Sequence, residues 1–582
     1  MGDEVGQIQS VIARLVRAVA IHLRKTINLI KAGLLHFVRN DIICLGLLLT
    51  FFISFPAFAS NDDNIVRVGL TDNKFQNVLK QQVVVYGTKD CDICDKQTRR
   101  ILLHVDANTD ITVTNLLSGM EVIVGDQSAT LRDFVVVCTE GLMGVRDLKR
   151  KGQPAVYHGA FEFVQRPDHK GFYLVNLVEI QDYLKGVVPN EMPVKFGLEA
   201  LKAQAVAARN YVLTPRTQAY DEFSVVDSVA SQVYFGANTE DDLATRAVME
   251  TDGVVALYDN DLILTLYSST AGGYTESYSN AFSDSKTKAF PGENKPYLVA
   301  VPDKDEFEKI DTEEKAKEFY SSKISSYDIE SPYYRWEREW AVGELENTLK
   351  QTLVAQSKTG FVSPAFNEGT ELGTLKDIKV MKRGDSGKAM VVDILTSKGC
   401  YRVYKELVIR RVFQKDGNSL PSANVVFEKK IDQYGNVTDI NAYGGGFGHG
   451  VGMSQFGAGY MSTKLHQPYY NILRHYYKGI SLGTRPIDVY MEEKKQTFWS
   501  PIGRAKIVAV GHIGSTIDVM INGKKRTLNL SGGFLHRDSS ADISRFIEDG
   551  ENYIVFYPSI MPYKVYVEII EPYRHLKAEE EE

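Results

Sequence analysis

The side chain best placed to do chemistry in this chain is Glu191, in the stretch Val188-Pro189-Asn190-Glu191-Met192-Pro193. Proline fixes φ and biases the residue before it toward extended backbone. An acid two residues ahead of such a break sits in a stiff segment and points in a set direction. If apolar neighbours raise its pKa, it can protonate a poor leaving group. Met192, Val187 and Val188 are the candidate neighbours. A second stretch, residues 444–459, holds eight glycines in sixteen positions around His449 and Gln455. It lacks the phosphate-binding patterns G-x-x-x-x-G-K-[ST] and G-x-G-x-x-G. Its glycines permit close backbone approach and positive φ. The loop therefore either presents His449 and Gln455 to an extended ligand or is a structural turn. A third stretch, "YSSTAGGYTES" at 267–277, carries Ser268 and Ser269, turns on Gly272-Gly273 and reaches Glu276. No G-x-S-x-G nucleophile elbow is present. We read it as a ligand-lining loop, with a bare hairpin as the alternative.

These residues need elements to hold them. Residues 180–186 read as a short helix closed by Gly186. Residues 197–213 read as a helix on propensity alone, with Leu198, Leu201, Ala205, Ala208 and Val212 forming one apolar stripe. Arg209 projects at the edge of that stripe. Its guanidinium needs an acceptor, because burying it unpaired is costly. A structural ion pair, an anionic substrate and a carboxylate of the site are the readings open. A further helix is expected over 241–251, and strands over 253–258 and 262–269 about the polar turn at 259–261. Residues 376–413 look β-rich, and 467–478 read as a helix. Asn522-Gly523 between alternating runs predicts a hairpin.

The expected architecture is α+β: a mixed catalytic core, its alanine-rich helix against β-strands, flanked by β-rich N- and C-terminal modules. The divisions are 1–59 as signal peptide or membrane anchor, 60–170 as N-terminal β module and 171–302 as first part of the core. A charged helical insertion at 303–360, the second part of the core at 361–485 and a separate C-terminal β module at 486–582 follow.

The chain has 582 residues, 44% hydrophobic and 24% charged, with net charge −7, so it can bury real cores. It lacks the clustered basic footprint that nucleic acid requires. Residues 42–59 carry no charge, follow basic residues and end in Ala57-Phe58-Ala59. That pattern fits an exported protein, either cleaved there or anchored in the membrane. Both place the rest outside the cytoplasm. Of five cysteines, Cys91 and Cys94 form a lone C-x-x-C, weak evidence for zinc. In an exported chain a disulfide or an unpaired structural thiol is the better reading.

Taken together, "YLKGVVPNEMP", "LEALKAQAVAARNY", "SQVYFG", "SSTAGGYTES", "PYLVAVPD" and "GGGFGHGVGMSQFGAGYM" resemble the SpoIID/LytB family of bacterial cell-wall proteins. The resemblance covers 172–302 and 443–481. It implies a lytic transglycosylase that cuts peptide-stripped peptidoglycan glycan strands to 1,6-anhydro-muramic products, with Glu191 as the catalytic acid. The alternative within the same family is a non-catalytic amidase enhancer that binds peptidoglycan and stimulates an N-acetylmuramoyl-L-alanine amidase. A wall scaffold whose flanking β modules do the binding is a third reading. The matching motifs supply Arg209, Tyr211, Gln232, Ser268, Ser269, Glu276, His449 and Gln455 as substrate-binding candidates. Asp227 and Glu276 are possible second carboxylates, and Arg209 or Lys195 could meet the lactyl carboxylate of muramic acid. Some family members bind zinc just before the Q-V-Y motif. Here Ser228 and Ser231 stand where thiols would be expected, so no metal and no cofactor are expected. Tyr267 stands where relatives often have histidine, which leaves its role open. The implied partners are glycan strands, a cell-wall amidase, and the membrane if the N-terminal segment is retained.

Overall fold

The computed structural model describes residues 64–570, apart from 215–220, 285, 305–306, 502 and 533–537. The apolar run at 42–59, Cys44 and the acidic tail lie outside the described residues. Among the described residues no helix is long and apolar enough to cross a membrane.

The chain is α+β, as its alternating apolar runs predict. The N-terminal module is built from two sheets. One has eight strands, with Ile65–Gly69, Phe172–Glu179, Ala160–Gln165, Asp133–Val137, Cys91–Asp95 and Ile101–Val105 side by side. The other has six, with Gln82–Gly87 between Met143–Arg150 and Ile111–Leu116. Their inward residues, among them Val85, Val113, Phe134, Phe161 and Phe163, join one hydrophobic core with the helices that follow.

Strand Phe172–Glu179 runs directly into helix Ile180–Glu191. The short helix expected to close at Gly186 continues for five more residues, through Pro189. Gly186 is there for packing: a Cβ would lie 2.7 Å from the ring of Tyr234. The break comes where Pro193 forces it. Met192 is extended (φ −124°, ψ 127°), and its N–H closes the helix on the Val188 carbonyl. After one 3₁₀ turn, Val194–Phe196, Gly197 (φ +86°) starts the alanine-rich helix Leu198–Leu213. That helix is buried on most sides, because alanine at so many positions lets neighbouring elements approach closely. Helix Asp242–Met249 packs beside it, capped by the Asp241 carboxylate on the Leu243 and Ala244 N–H groups.

Two organisational expectations need adjusting. The segment expected as a helical insertion at 303–360 does hold helices Glu313–Ser321 and Val342–Ser357. However, the second helix shares a separate hydrophobic core with strands as far as Val437–Gly444, including Trp340, Val392, Ile394, Val403 and Ile440. The inserted unit thus extends well past 360. Likewise the C-terminal β segment is not detached. Ser481–Gly483 pairs with Val255–Tyr258 of the core on one side and with Tyr563–Ile569 on the other, so one seven-stranded sheet runs through both. The Asn522-Gly523 hairpin forms as expected, with Ile521 opposite Lys524 and positive φ at both turn residues.

Candidate active site

Glu191 is the last residue of its helix and is half-buried. The helix C-terminus carries partial negative charge and disfavours a carboxylate. Burial acts the same way and is the largest influence, pushing the Glu191 carboxyl up to about 7. Two hydrogen bonds oppose it. The Val233 N–H donates to Oε1 at 2.6 Å, and the Gln455 side chain also bonds the carboxylate. The groups that act on Glu191 are these neutral donors. No second carboxylate is among them within the described residues.

A polar lattice holds the donors in place. Buried Gln232 precedes Val233; its Nε2 donates to the Tyr267 hydroxyl at 2.9 Å and its Oε1 accepts from the Tyr183 hydroxyl at 3.0 Å. Tyr267 is near enough for the Glu191 charge to push its phenol upward, after burial. Gln455 opens helix Gln455–Thr463, and its Nε2 donates to Oε1 of Gln204 at 3.4 Å. Gln204 escaped the sequence reading. The available signal was a polar side chain on the otherwise apolar face of the alanine-rich helix.

The two glycine-containing stretches meet beside this lattice. Tyr267 and Ser268 pair in parallel with Met453 and Ser454, Thr270 bridges Phe447, and the Phe456 N–H donates to the Ser269 carbonyl at 3.0 Å. Gly272 (φ +86°) lies flat on Gly445: a Cβ there would be 2.9 Å from the Gly445 carbonyl carbon. Ser268 is buried under Gly448, whereas Ser269 keeps partial exposure and contacts the Thr270 hydroxyl at 3.3 Å. Tyr211 is half-buried against the same core and lies near Tyr267. The structure therefore brings Glu191, Gln232, Gln455, Tyr211 and the 267–269 segment together.

Other expected site residues face elsewhere. Glu276 is fully buried. Its carboxylate accepts from the N–H groups of Ser277, Asp385 and Ser386, from Asn280 Nδ2 and from the Ser386 hydroxyl, the last at 2.7 Å. It fastens the inserted unit to the core rather than facing a ligand. Asp227 is likewise buried and spent, on Arg150 Nη2 at 2.5 Å and on the N–H and hydroxyl of Thr71. Neither serves as a second carboxylate beside Glu191. The Arg209 guanidinium takes carbonyl acceptors instead of an anion: Val254 O at 2.9 Å, Val248 O at 3.5 Å and Gln181 Oε1 at 3.3 Å. Burial pulls it down to about 10. Through Gln181 it steadies the first turn of the Glu191 helix.

His449 braces its own loop. Its Nδ1 accepts from the Val451 N–H at 3.0 Å, and the ring also bonds the Tyr267 backbone. Desolvation pushes it down to about 4, so it is neutral near pH 7. Lys195 is exposed on the turn after Pro193. Ser228 and Ser231 accept from the backbone N–H groups of Ala230 and Val226, closing a turn. Among the described residues no cluster of His, Cys, Asp and Glu has the makings of a metal site.

Residues 168–258 match the model of the stage II sporulation protein (SpoIID) family, and residues 284–452 match a domain of unknown function (DUF8618). The second match covers most of the inserted unit. The chain is 31% identical over 307 residues to the amidase enhancer of Bacillus subtilis, across 51% of this chain and 40% of that protein. It thus spans less than half the length of that relative. It is 29% identical over 340 residues to stage II sporulation protein D of Bacillus amyloliquefaciens, across 55% of this chain and 79% of that one. An uncharacterized protein of Brachyspira hyodysenteriae is 27% identical over 429 residues, across 73% of this chain and 94% of its own length.

Proposed function

We propose, from the premise that residues 168–258 belong to the stage II sporulation protein D family, that this protein is a peptidoglycan lytic transglycosylase. The family names support a cell-wall role outside the cytoplasm. The finer reading rests on one observation: a half-buried carboxyl that the Val233 N–H and the Gln455 side chain meet as neutral donors, with no second carboxylate acting on it among the described residues, and that burial raises to about 7. A glycosidase that activates water uses two carboxyl groups, set apart by a spacing that depends on the mechanism. A lytic transglycosylase needs one. Protonated Glu191 gives its proton to the glycosidic oxygen on C1 of the muramic acid, and the leaving sugar departs with that oxygen. The carboxylate then takes the proton of the 6-hydroxyl as O6 attacks C1, which closes the 1,6-anhydro ring and restores the acid. A pKa near the working pH serves both half-steps. Gln455 and the Val233 N–H stabilise the intermediate carboxylate. Lys195, exposed and close in sequence, is the candidate for the lactyl carboxylate.

The test is the purified protein on peptide-stripped glycan strands, with 1,6-anhydro-muramic ends read by mass spectrometry and Glu191→Gln alongside. Anhydro ends that vanish in the variant support the enzyme. Strands that are bound yet intact would refute it. They would favour the second reading, which the likeness to an amidase enhancer supports: a peptidoglycan-gripping stimulator of a separate amidase.

A further inference from the structure

Three cysteines lie in the N-terminal module, and the sequence motif does not show which of them meet. Strand Cys91–Asp95 sends alternate side chains to opposite faces, so buried Cys91 and Ile93 share one face and Cys94 lies on the other. The C-x-x-C pair is therefore split. The fold brings a different pair together. Strand Cys91–Asp95 runs antiparallel to Asp133–Val137 with Asp92 opposite Val137. One step further along both chains sets Cys91 opposite Cys138. Both sulphurs lie 3.3 Å from the Lys89 carbonyl oxygen, and the two thiols bond one another. Both also crowd the bare side of Gly87: a methyl there would sit 1.9 Å from Cys91 Sγ and 3.1 Å from Cys138 Sγ.

We propose that Cys91 and Cys138 form an intramolecular disulfide as the chain folds in an oxidising compartment. The compartment rests on the cell-wall reading above; the pairing rests on the strand register alone. The oxidant is a disulfide, either of a small molecule such as oxidised glutathione or of a thiol–disulfide oxidoreductase. The thiolate of one cysteine attacks it, forms a mixed disulfide and expels one thiolate. The second cysteine then attacks the sulphur of the first and releases the other thiolate. The pair loses two protons and two electrons, and the oxidant is reduced to two thiols. Both cysteines are buried in the finished fold, and burial pushes the Cys91 thiol up, which makes it a slow nucleophile there. The bond therefore closes during folding. All four described cysteines are free thiols in this structure; in the oxidised protein Cys94, on the opposite face of its strand, and exposed Cys400 stay free.

The bond has a mechanical place. Gly87 ends a strand of the six-stranded sheet and Cys91 begins one of the eight-stranded sheet. It would tie two neighbouring strands of the eight-stranded sheet at the end where the chain crosses to the other sheet, and the eight-stranded sheet feeds the Glu191 helix.

The full chain, reduced and unfolded, is refolded in a glutathione redox buffer, alkylated in acidified then neutralised denaturant so that buried thiols react, digested without reduction and mapped by mass spectrometry. The expected result is a Cys91–Cys138 peptide pair lighter by two hydrogens, with Cys94 and Cys400 alkylated. Cys138→Ser should leave Cys91 alkylated, and reduction should lower the thermal midpoint of the native protein but not of this variant. Protein secreted into a bacterial periplasm and alkylated at lysis gives the same map without a refolding step. Alkylation of both Cys91 and Cys138, or a bond from Cys91 to Cys94, would overturn the proposal. Glycan cleavage does not enter the readout, so loss of the enzyme reading leaves this test intact.

Discussion

Gln455→Leu is the sharpest probe of the site. Burial raises the Glu191 pKa, and two hydrogen bonds hold it back at about 7. Leucine keeps the bulk of glutamine and removes one of those bonds while the Val233 N–H stays at 2.6 Å. A hydrogen bond to a charged group is worth about 1.5 kcal/mol at the low end, and one pH unit corresponds to about 1.4 kcal/mol. The carboxylate is the form that loses the bond, so the pKa rises by about one unit. The assay is the initial rate of anhydro-muramic product release from peptide-stripped glycan between pH 5 and pH 10. The alkaline limb of kcat/KM reports the acid in the free enzyme. It should fall away near 7 in the parent and near 8 in the variant. Losing the Gln204 contact lowers the height of the profile, not the pH of the limb. A limb that stays in place or moves down would refute the account of what sets the acid.

Three further outcomes follow from the same geometry. Glu191→Gln should lower cleavage by roughly 10²–10⁴-fold. Its stability carries a sign as well: the folded pKa lies above the ordinary 4.5, so the contribution is full below 4.5 and is lost as pH rises through about 7. Glutamine does not ionise, so by urea titration the variant should match the parent at pH 4 and exceed it at pH 8 by about 2 kcal/mol, a figure discounted for partial exposure. Glu276→Ala should cost about 2–4 kcal/mol of stability by the same titration, because its buried donors lose their acceptor, while the alkaline limb stays put. Asp227→Ala should cost about 3–5 kcal/mol by leaving the Arg150 guanidinium buried and unpaired, and Asp227→Leu with Arg150→Met should recover much of it.

Local chemistry was legible where one stretch decides the outcome. The alanine-rich helix, the Asn522-Gly523 hairpin and the break at Pro193 follow from propensity and backbone sterics. Glu191 stood out because a proline frames it. Gly186 misled because a glycine can end a helix or admit a neighbour, and Tyr234, which it admits, lies far along the chain. Glu276 and Arg209 are candidates for a substrate contact in sequence, Asp227 and Glu276 possible second carboxylates, and Arg209 is equally open to a structural ion pair. A polar side chain looks the same in sequence whether it meets substrate or buried backbone, and only their distant partners Ser386, Arg150 and Val254 decide it. The β-rich reading of 376–413 holds for its three strands up to Tyr404 but not for the helix Glu406–Val412, and periodicity does not say which core they join. Gln455 was found as a polar residue in a loop. That it bonds the acid required the fold.

The dependence of Glu191 on Gln455 has a temporal side. Gln455 lies 251 residues beyond Gln204, its partner on the alanine-rich helix. At about 5–20 residues per second, a ribosome needs roughly 10–50 seconds to cover that interval. A nascent or truncated chain that ends before the second glycine-rich stretch has the acid but not one of the two donors that set it, nor the strand that pairs with Tyr267 and Ser268. The inserted unit must also be traversed before those segments can close. A chain that would cut glycan thus acquires its finished acid only after the second glycine-rich stretch has been made, and fragments released before it lack a complete site.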